Sequence, residues 1–298
     1  MICLCCGKEI IGENDYWHKK CIEKFFNSKT MPTLNIDLSE RDIIKNIKVF
    51  TPGVQEKLSV HIGNNSDRIS YYDDNSKYII KLENNYKEIV AAEHTTMLMA
   101  DAFKIKTCEH GMIKNNDKYV YIVKRFDRIN NEKIHVEDFC QLSNRLTEDK
   151  YKGSYEKIGK LIDKYSSYKQ FDKIEFFRIV LFSYITLNND MHLKNFSLVE
   201  EEYNRLSLAY DLLPCKMFVD DGSDLALTLN GKDRNINKND FLTFGMNLGI
   251  NNKAVNKILN ELNDTKEEFK SIINNSLLSE NFKNEYIKRI DERIDTFK

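Results

Sequence analysis

Residues 188–197 read Asn-Asn-Asp-Met-His-Leu-Lys-Asn-Phe-Ser, and the fold can be argued outward from this stretch. An apolar run from Phe176 to Leu187 precedes it, and the apolar pair Leu198-Val199 follows it. A polar loop between two buried segments costs stability, because its polar groups leave water and need new partners. We call residues 188–197 the Asp190 loop and expect it to carry function.

The spacing of polar residues in the Asp190 loop is typical of a protein-kinase catalytic loop. In such a loop an Asp orients the acceptor hydroxyl, and an Asn five residues later holds magnesium, as Asp190 and Asn195 would here. Asp211 follows one short hairpin later, where a kinase has its second metal-binding Asp. The alternative is a turn capped by Asx side chains, because this spacing arises by chance in an Asn-rich chain.

Length and composition limit which kinds of protein this chain can be. The chain has 298 residues, of which 41% are hydrophobic and 31% charged, so one large or two moderate globular domains are expected. A net charge of -1 provides no overall basic field for nucleic acid or an anionic membrane. No apolar run approaches the roughly 20 residues of a membrane span. Seven scattered cysteines favour a reducing, cytoplasmic compartment over a disulfide framework.

A small Cys/His knob is predicted over residues 1–30. Cys3 and Cys6 form one pair, and His18 and Cys21 form a second pair after a short gap. Two such pairs are how four ligands meet tetrahedrally around a structural Zn²⁺. The alternative is a set of reduced thiols and a surface histidine without metal, and Cys5 leaves the choice of thiols open.

The remaining chain changes from mixed α/β to helical character. Residues 31–130 carry a turn at Pro52-Gly53, a strand over 76–82 that ends near Lys81, a helix over 89–103 that contains Glu93, and a strand over 119–128. Residues 131–298 are mostly helical. The predicted helices span 155–165, 173–187, 238–248, 252–262, 266–274 and 281–296. This layout predicts an α+β, two-lobed, kinase-like fold with nucleotide in the cleft between the lobes.

Six stretches, in this order, resemble the HipA family of bacterial serine/threonine kinases. They lie between about residues 50 and 250 and comprise 52–59, 124–128, 137–141, 188–197, 210–213 and 227–232. The resemblance implies ATP and Mg²⁺ as cofactors and a protein hydroxyl as acceptor. It also implies that Lys81, Asp190, Asn195 and Asp211 converge around one triphosphate.

The resemblance also implies a role for each site residue. Lys81 would contact the α- and β-phosphates, Asp190 would be the catalytic base, and Asn195 and Asp211 would hold Mg²⁺. Gln55 and Lys57 would belong to the loop that covers the phosphates. The backbone around Lys124 and Phe126 would meet adenine, and Asp127 would approach the ribose.

Partners and regulation follow from the same resemblance. The acceptor would be a translation component such as an aminoacyl-tRNA synthetase, or a host signalling protein if the chain is delivered to host cells as one compact member of the family is. An antitoxin is a further expected partner. Relatives inactivate themselves by phosphorylating serines before the loop glycine, but Thr51 is the only hydroxyl near Gly53 here.

Two alternative functions, each different from that of an active kinase, remain open from the sequence. One is a catalytically silent module that binds nucleotide or a partner protein. The other is a DNA- or antitoxin-binding module built on the Cys/His knob, although no basic stripe surrounds the four ligands.

Overall fold

The computed structural model describes seven stretches of the chain, which are residues 1–12, 16–34, 57–62, 68–71, 76–83, 85–129 and 132–297. The chain folds into two compact units. The first is formed by Met1–Leu98, Cys108–Lys133 and Asn275–Leu277, and the second by Met99–Thr107, Ile134–Asn274 and Leu278–Lys298. The predicted turn at Pro52-Gly53, with Thr51 and Gln55, lies outside the described residues.

The first unit is built around a closed barrel of six strands in the order β1-β3-β2-β4-β6-β5. β1 runs parallel to β3 and β5, and the other neighbours are antiparallel. A separate hairpin joins β7 to β8. The strands are β1 Thr33–Leu34, β2 Lys57–Ile62, β3 Arg68–Tyr71, β4 Tyr78–Lys81, β5 His110–Asn115, β6 Lys118–Lys124, β7 Arg128–Ile129 and β8 Glu132–Lys133.

The strand register determines which side chains share a face of this sheet. Lys81 and Met112 both pair with Tyr121, so these three lie on one face. Helix α2, Ile89–Ala102, packs on that face, where His94 Nδ1 lies 3.1 Å from His110 Nδ1. Tyr78 lies three residues before Lys81 and therefore points to the opposite face.

Helix α1, Lys19–Phe26, packs on that opposite face. The ring of Phe25 stacks on Tyr78 with the centroids 5.4 Å apart, and the Tyr78 hydroxyl donates to the Phe25 carbonyl at 3.0 Å. The strand that ends at Lys81 is thus covered on both sides within the first unit.

The second unit is mostly helical, as the sequence predicts. Its three-stranded sheet has the order β11-β10-β9 and consists of β9 His135–Asp138, β10 Ser197–Glu200 and β11 Asn204–Leu206. Its helices are α3 Phe139–Leu142, α4 Tyr155–Tyr165, α5 Lys169–Ile185, α6 Lys238–Asn247, α7 Asn252–Asn274 and α8 Glu280–Asp295. Side-chain caps start several of them: Asp138 and Asn237 form capping boxes, and the Ser154 hydroxyl accepts from Lys157 N.

Helix α5 is the centre of the second unit's core and leads into the Asp190 loop. Its aromatic side chains pack against α6, where the rings of Phe177 and Phe244 stack at 5.7 Å, and Phe176 lies 5.1 Å from Phe196 at the end of the loop. No helix in the described parts of the chain is long and apolar enough to cross a membrane.

The prediction of two helices over 252–262 and 266–274 is wrong, because one helix runs through both. Residues 263–265 are Asn-Asp-Thr, which are weak helix formers. However, Thr265 Oγ1 donates to Glu261 O at 2.7 Å, and Leu262 and Phe269 are both fully buried on either side of the junction. Tertiary packing of one continuous apolar face therefore outweighs the local preference.

Candidate functional site

The Asp190 loop is held in shape by its own asparagines. Asn195 Nδ2 donates to the Asp190 carbonyl at 2.8 Å, which closes the five-residue turn between the two predicted site residues. The Asp190 backbone N–H donates to Asn188 Oδ1 at 3.1 Å. Both ends of the turn are therefore fixed by side chain to backbone bonds of the kind that Asn forms readily.

Asn188 connects the loop to the second predicted metal-binding acid. Its amide is buried, and Nδ2 donates to the Asp211 carbonyl at 3.4 Å while Oδ1 accepts from Asp190. The structure thus brings Asp190, Asn195 and Asp211 together within the second unit. Sequence reasoning quoted Asn188 in the motif but gave it no role.

The donor atoms of this group suit a hard divalent cation. Asn195 uses its amide nitrogen for Asp190, which leaves the amide oxygen as the atom that can face a metal. Asp211 adds a carboxylate. Amide and carboxylate oxygens are the ligands that Mg²⁺ takes from proteins, so the residues present fit that ion.

Tyr151 is a site residue that sequence reasoning missed. Its hydroxyl donates to Asp190 Oδ1 at 2.5 Å, and its ring lies edge-on to His192 with the centroids 5.0 Å apart. Burial, and then the bond to Asp190, raise the pKa of Tyr151, so its oxygen keeps the proton that it donates. Tyr151 lies 39 residues before Asp190, and no local pattern in the sequence could have revealed the contact.

His192 supports the loop as a neutral side chain. Its Nδ1 accepts from the Lys194 backbone N–H at 3.3 Å. Burial lowers the pKa of His192 by more than the nearby Asp190 raises it. Lys194 in turn pairs with Asp138, the N-cap of α3, at 3.1 Å, which ties the loop to the three-stranded sheet.

Lys81 lies in the first unit, at the end of β4, and forms an ion pair with Glu93 of α2. The exposed fractions of the two side chains are 5% and 1%. The Lys81 ammonium also lies 5.5 Å from the centre of the Tyr121 ring. A buried ion pair is a poor source of stability, because the desolvation of both charges offsets their attraction, and this favours a functional reason for the pair.

The other predicted nucleotide contacts of the first unit are placed as follows. Lys57 is the first residue of β2 and lies opposite Lys81 of the neighbouring antiparallel strand β4. The backbone N–H of Lys124 donates to Glu109 O, and that of Arg125 donates to Lys77 O, each at 2.8 Å. These two backbone N–H groups therefore already have hydrogen-bond partners within the first unit. Phe126 follows directly in the turn between β6 and β7.

The carboxylate of Asp127 is occupied by arginines. Arg125 donates to it through two nitrogens, at 2.9 and 2.7 Å, and Arg128 donates at 2.6 Å. Burial raises the pKa of Asp127, but the two guanidinium groups outweigh burial and hold the pKa below its usual range. A ribose hydroxyl would have to share this carboxylate.

The four predicted ligands of the Cys/His knob also come together. The ligand atoms of Cys3, Cys6, His18 and Cys21 all lie within 4.8 Å of one another.

Comparison with known proteins agrees with the predicted family and fold. The model of a family described as HipA-like C-terminal domain matches residues 49–269. A Haemophilus influenzae protein named "Putative kinase" is 26% identical over 261 residues, which are 76% of this chain and 75% of that protein. A Sinorhizobium fredii protein named "Putative kinase Y4dM" is 40% identical over 107 residues, which are 35% of this chain and 25% of that protein.

Two solved structures share the fold. One is HipA of Shewanella oneidensis in a toxin–antitoxin complex with HipB and operator DNA, with a TM-score of 0.70 and 20% identity over 87% of this chain and 70% of that one. The other is the Helicobacter pylori proinflammatory kinase CtkA, with a TM-score of 0.58 and 20% identity over 85% of this chain and 93% of that one. The predicted kinase-like fold class is confirmed.

Proposed function

The chain belongs to the family of HipA-like C-terminal domains, and from that premise we propose that it is an ATP- and Mg²⁺-dependent serine/threonine protein kinase. The observation that carries the proposal is the arrangement of the Asp190 loop. Asn195 is bonded to Asp190, and both are linked through Asn188 to Asp211. This is the acid, amide and second acid that phosphoryl transfer requires.

The candidate site residues of the second unit have separate roles in the proposed reaction. Asp190 accepts the proton of the acceptor hydroxyl and orients its oxygen toward the γ-phosphorus. Asn195 and Asp211 hold Mg²⁺, which when bound neutralises charge on the phosphate oxygens. Tyr151 holds one carboxylate oxygen of Asp190, so Oδ2 is the atom that serves the acceptor.

The first unit contributes residues that bind the nucleotide. Lys81 is proposed to contact the α- and β-phosphates, with Glu93 fixing the direction of its ammonium. Gln55 and Lys57 are proposed to cover the phosphates, the backbone around Lys124 and Phe126 to meet adenine, and Asp127 to approach the ribose. That these residues and the Asp190 loop act on one nucleotide stays a prediction.

The acceptor is proposed to be a protein hydroxyl. The resemblance leaves two classes of protein, which are translation components and host signalling proteins. An antitoxin is a further proposed partner, because the Shewanella HipA structure contains HipB.

The test is phosphoryl transfer from γ-labelled ATP, with and without Mg²⁺, by the wild-type protein and by Asp190→Ala. We expect the variant to lose about 10² to 10⁴ in rate, the usual contribution of an acid–base residue, and to bind Mg-ATP as the wild type does. Mass spectrometry of the wild type after incubation identifies the hydroxyls that gain phosphate. Transfer by Asp190→Ala at the wild-type rate would refute the role of Asp190.

A silent binding module gives a different result. Such a protein transfers no phosphate in any form and binds ATP equally with and without Mg²⁺, because no metal then links the phosphates to Asn195 and Asp211.

A further inference from the structure

The N-terminal knob, of which residues 1–12 and 16–30 are described, lies outside the segment that matches the family. We propose that Cys3, Cys6, His18 and Cys21 bind one structural Zn²⁺, and that this ion holds the knob against the edge of the barrel. The proposal is independent of the kinase activity, because it rests on other residues and on other contacts.

The spacing of the ligand atoms is close to that of a tetrahedral zinc site. Cys6 Sγ lies 3.4 Å and Cys21 Sγ 3.9 Å from His18 Nδ1. With Zn–S bonds of about 2.3 Å and Zn–N bonds of about 2.0–2.1 Å, ligand atoms of a tetrahedron stand about 3.5–3.8 Å apart. These two distances match the tetrahedral spacing closely, and all four ligand atoms lie within 4.8 Å of one another. Side-chain movements of up to about 1 Å therefore bring every ligand to coordinating distance.

The orientation of His18 is that of a metal ligand. Its Nε2 lies 3.0 Å from the Glu9 carbonyl, to which it can only donate. In the neutral imidazole this leaves Nδ1 as the nitrogen with a lone pair, and Nδ1 is the atom that faces the sulfurs. A histidine that binds zinc is usually fixed in this way, through a hydrogen bond from its other nitrogen to a carbonyl.

The backbone fixes the positions of the three cysteines. Gly7 N donates to Cys3 O at 2.9 Å and has a φ of 69°, a left-handed conformation that closes the turn carrying Cys3 and Cys6. The backbone N–H of His18 donates to Cys3 Sγ at 3.4 Å. Cys21 lies in the first turn of α1, which fixes its backbone.

The donor set selects the metal and its role. Three sulfurs and one imidazole suit tetrahedral zinc better than the hard cations that take oxygen ligands. Four protein ligands leave no open position, which is typical of a structural site. Cys5 is not a member of the group, although it lies between Cys3 and Cys6 in the sequence. Its substitution is therefore a matched control.

The contacts of the knob show what the ion would hold in place. Where β5 runs past its pairing with β1 at Asn115, the Met112 N–H donates to Leu4 O and the Met112 carbonyl accepts from Trp17 Nε1, each at 2.8 Å. The Trp17 ring lies where a Cβ of residue 111 would be, so that position requires glycine. The knob thus supplies hydrogen-bond partners to both backbone groups of Met112, in the part of β5 that the short strand β1 does not pair.

The first experiment measures the metal content of the full-length protein by mass spectrometry. We expect close to one zinc per chain in the wild type and in Cys5→Ser, and loss of most of the zinc in Cys6→Ser and in Cys21→Ser. The proposal would be overturned if the wild type contained no zinc, or contained iron instead. It would also be overturned if Cys5→Ser lost the zinc while Cys6→Ser kept it.

The second experiment needs no variant and no kinase assay. Trp17 is the only tryptophan in the chain and is fully buried between Phe25, Phe26 and the barrel. Removal of zinc from the wild type by a chelator is expected to shift its emission to longer wavelengths, and added Zn²⁺ to restore it. Emission that stays unchanged after complete removal of the metal would refute the structural role. If the Trp17 emission shifts reversibly but the separate transfer assay finds no kinase activity, only the proposed function is refuted and the zinc site stands.

Discussion

The Asp190 loop and the Lys81–Glu93 pair position charged side chains in two different ways. In the loop, Asn188 and Asn195 hold Asp190 through short-range bonds to the backbone. Lys81 is positioned by a partner on another element and by burial, with a side-chain exposed fraction of 5%. The loop therefore carries its geometry in its own sequence, whereas the lysine depends on how the first unit packs.

This difference explains why the two were predicted with unequal ease. The Asp-to-Asn spacing can be found in one contiguous stretch, because the bond between Asn195 and Asp190 is local. A lysine at the end of a strand is common, so the sequence singles out Lys81 chiefly through the family resemblance, and its buried ion pair with Glu93 forms only when α2 packs on β4. Substitutions at the two places should consequently fail in different ways.

The largest expected effect is that of Lys81→Met, which leaves the Glu93 carboxylate buried without its Lys81 partner. Breaking a buried ion pair in this way costs about 3–5 kcal/mol of unfolding free energy. Loss of the phosphate contact should lower the rate of transfer by about 10² to 10³. Urea unfolding and a transfer assay measure the two effects separately.

The matched control is the double variant Lys81→Met/Glu93→Gln. It should regain most of the lost stability, because no buried charge remains, and none of the activity. An active double variant would show that Lys81 has only a structural role, and an undiminished stability of Lys81→Met would show that the pair is not buried as described.

A smaller effect is expected of Tyr151→Phe, which removes the hydrogen bond to Asp190 and keeps the ring. A bond to a charged group contributes about 1.5–3 kcal/mol, but other bonds also hold the loop, so we expect kcat to fall by about tenfold or less. The KM for ATP should not change. A rise in kcat would instead mean that the tyrosine hydroxyl competes with the acceptor for Asp190.

The smallest effect concerns stability alone and involves the buried pair of His94 and His110. Burial, and then His110, lower the pKa of His94 well below its ordinary value, so the folded protein keeps it neutral. The unfolded chain takes up a proton below about pH 6.5, so the unfolding free energy should fall as the pH drops further, by at most about 1.4 kcal/mol per unit.

Unfolding by urea at pH 7.5 and 5.5 checks this dependence. His94→Gln should reduce the pH dependence, whereas the exposed His135→Gln should leave it unchanged. Equal pH dependence in all three proteins would mean that His94 takes up its proton in the folded state as well.

Much of the candidate site could be predicted from single residues, but its connections could not. The proximity of Asp190, Asn195 and Asp211 follows from spacing, and the clustering of Cys3, Cys6, His18 and Cys21 follows from paired motifs. The contact of Tyr151 with Asp190 and the pairing of His94 with His110 depend on chain segments that meet only after folding. The continuous helix α7 was missed for the same reason, because buried neighbours on both sides of Asn-Asp-Thr determine its course.

One backbone angle described for the second unit limits how this protein can vary. Asp211 has a φ of 55°, a left-handed conformation that Gly, Asn and Asp adopt readily and most other residues do not. Glutamate would keep the negative charge but strain the chain, whereas asparagine or glycine would keep the chain relaxed but discard the charge. Position 211 therefore has no conservative replacement, and any descendant of this protein that changes it gives up either the relaxed backbone or the negative charge.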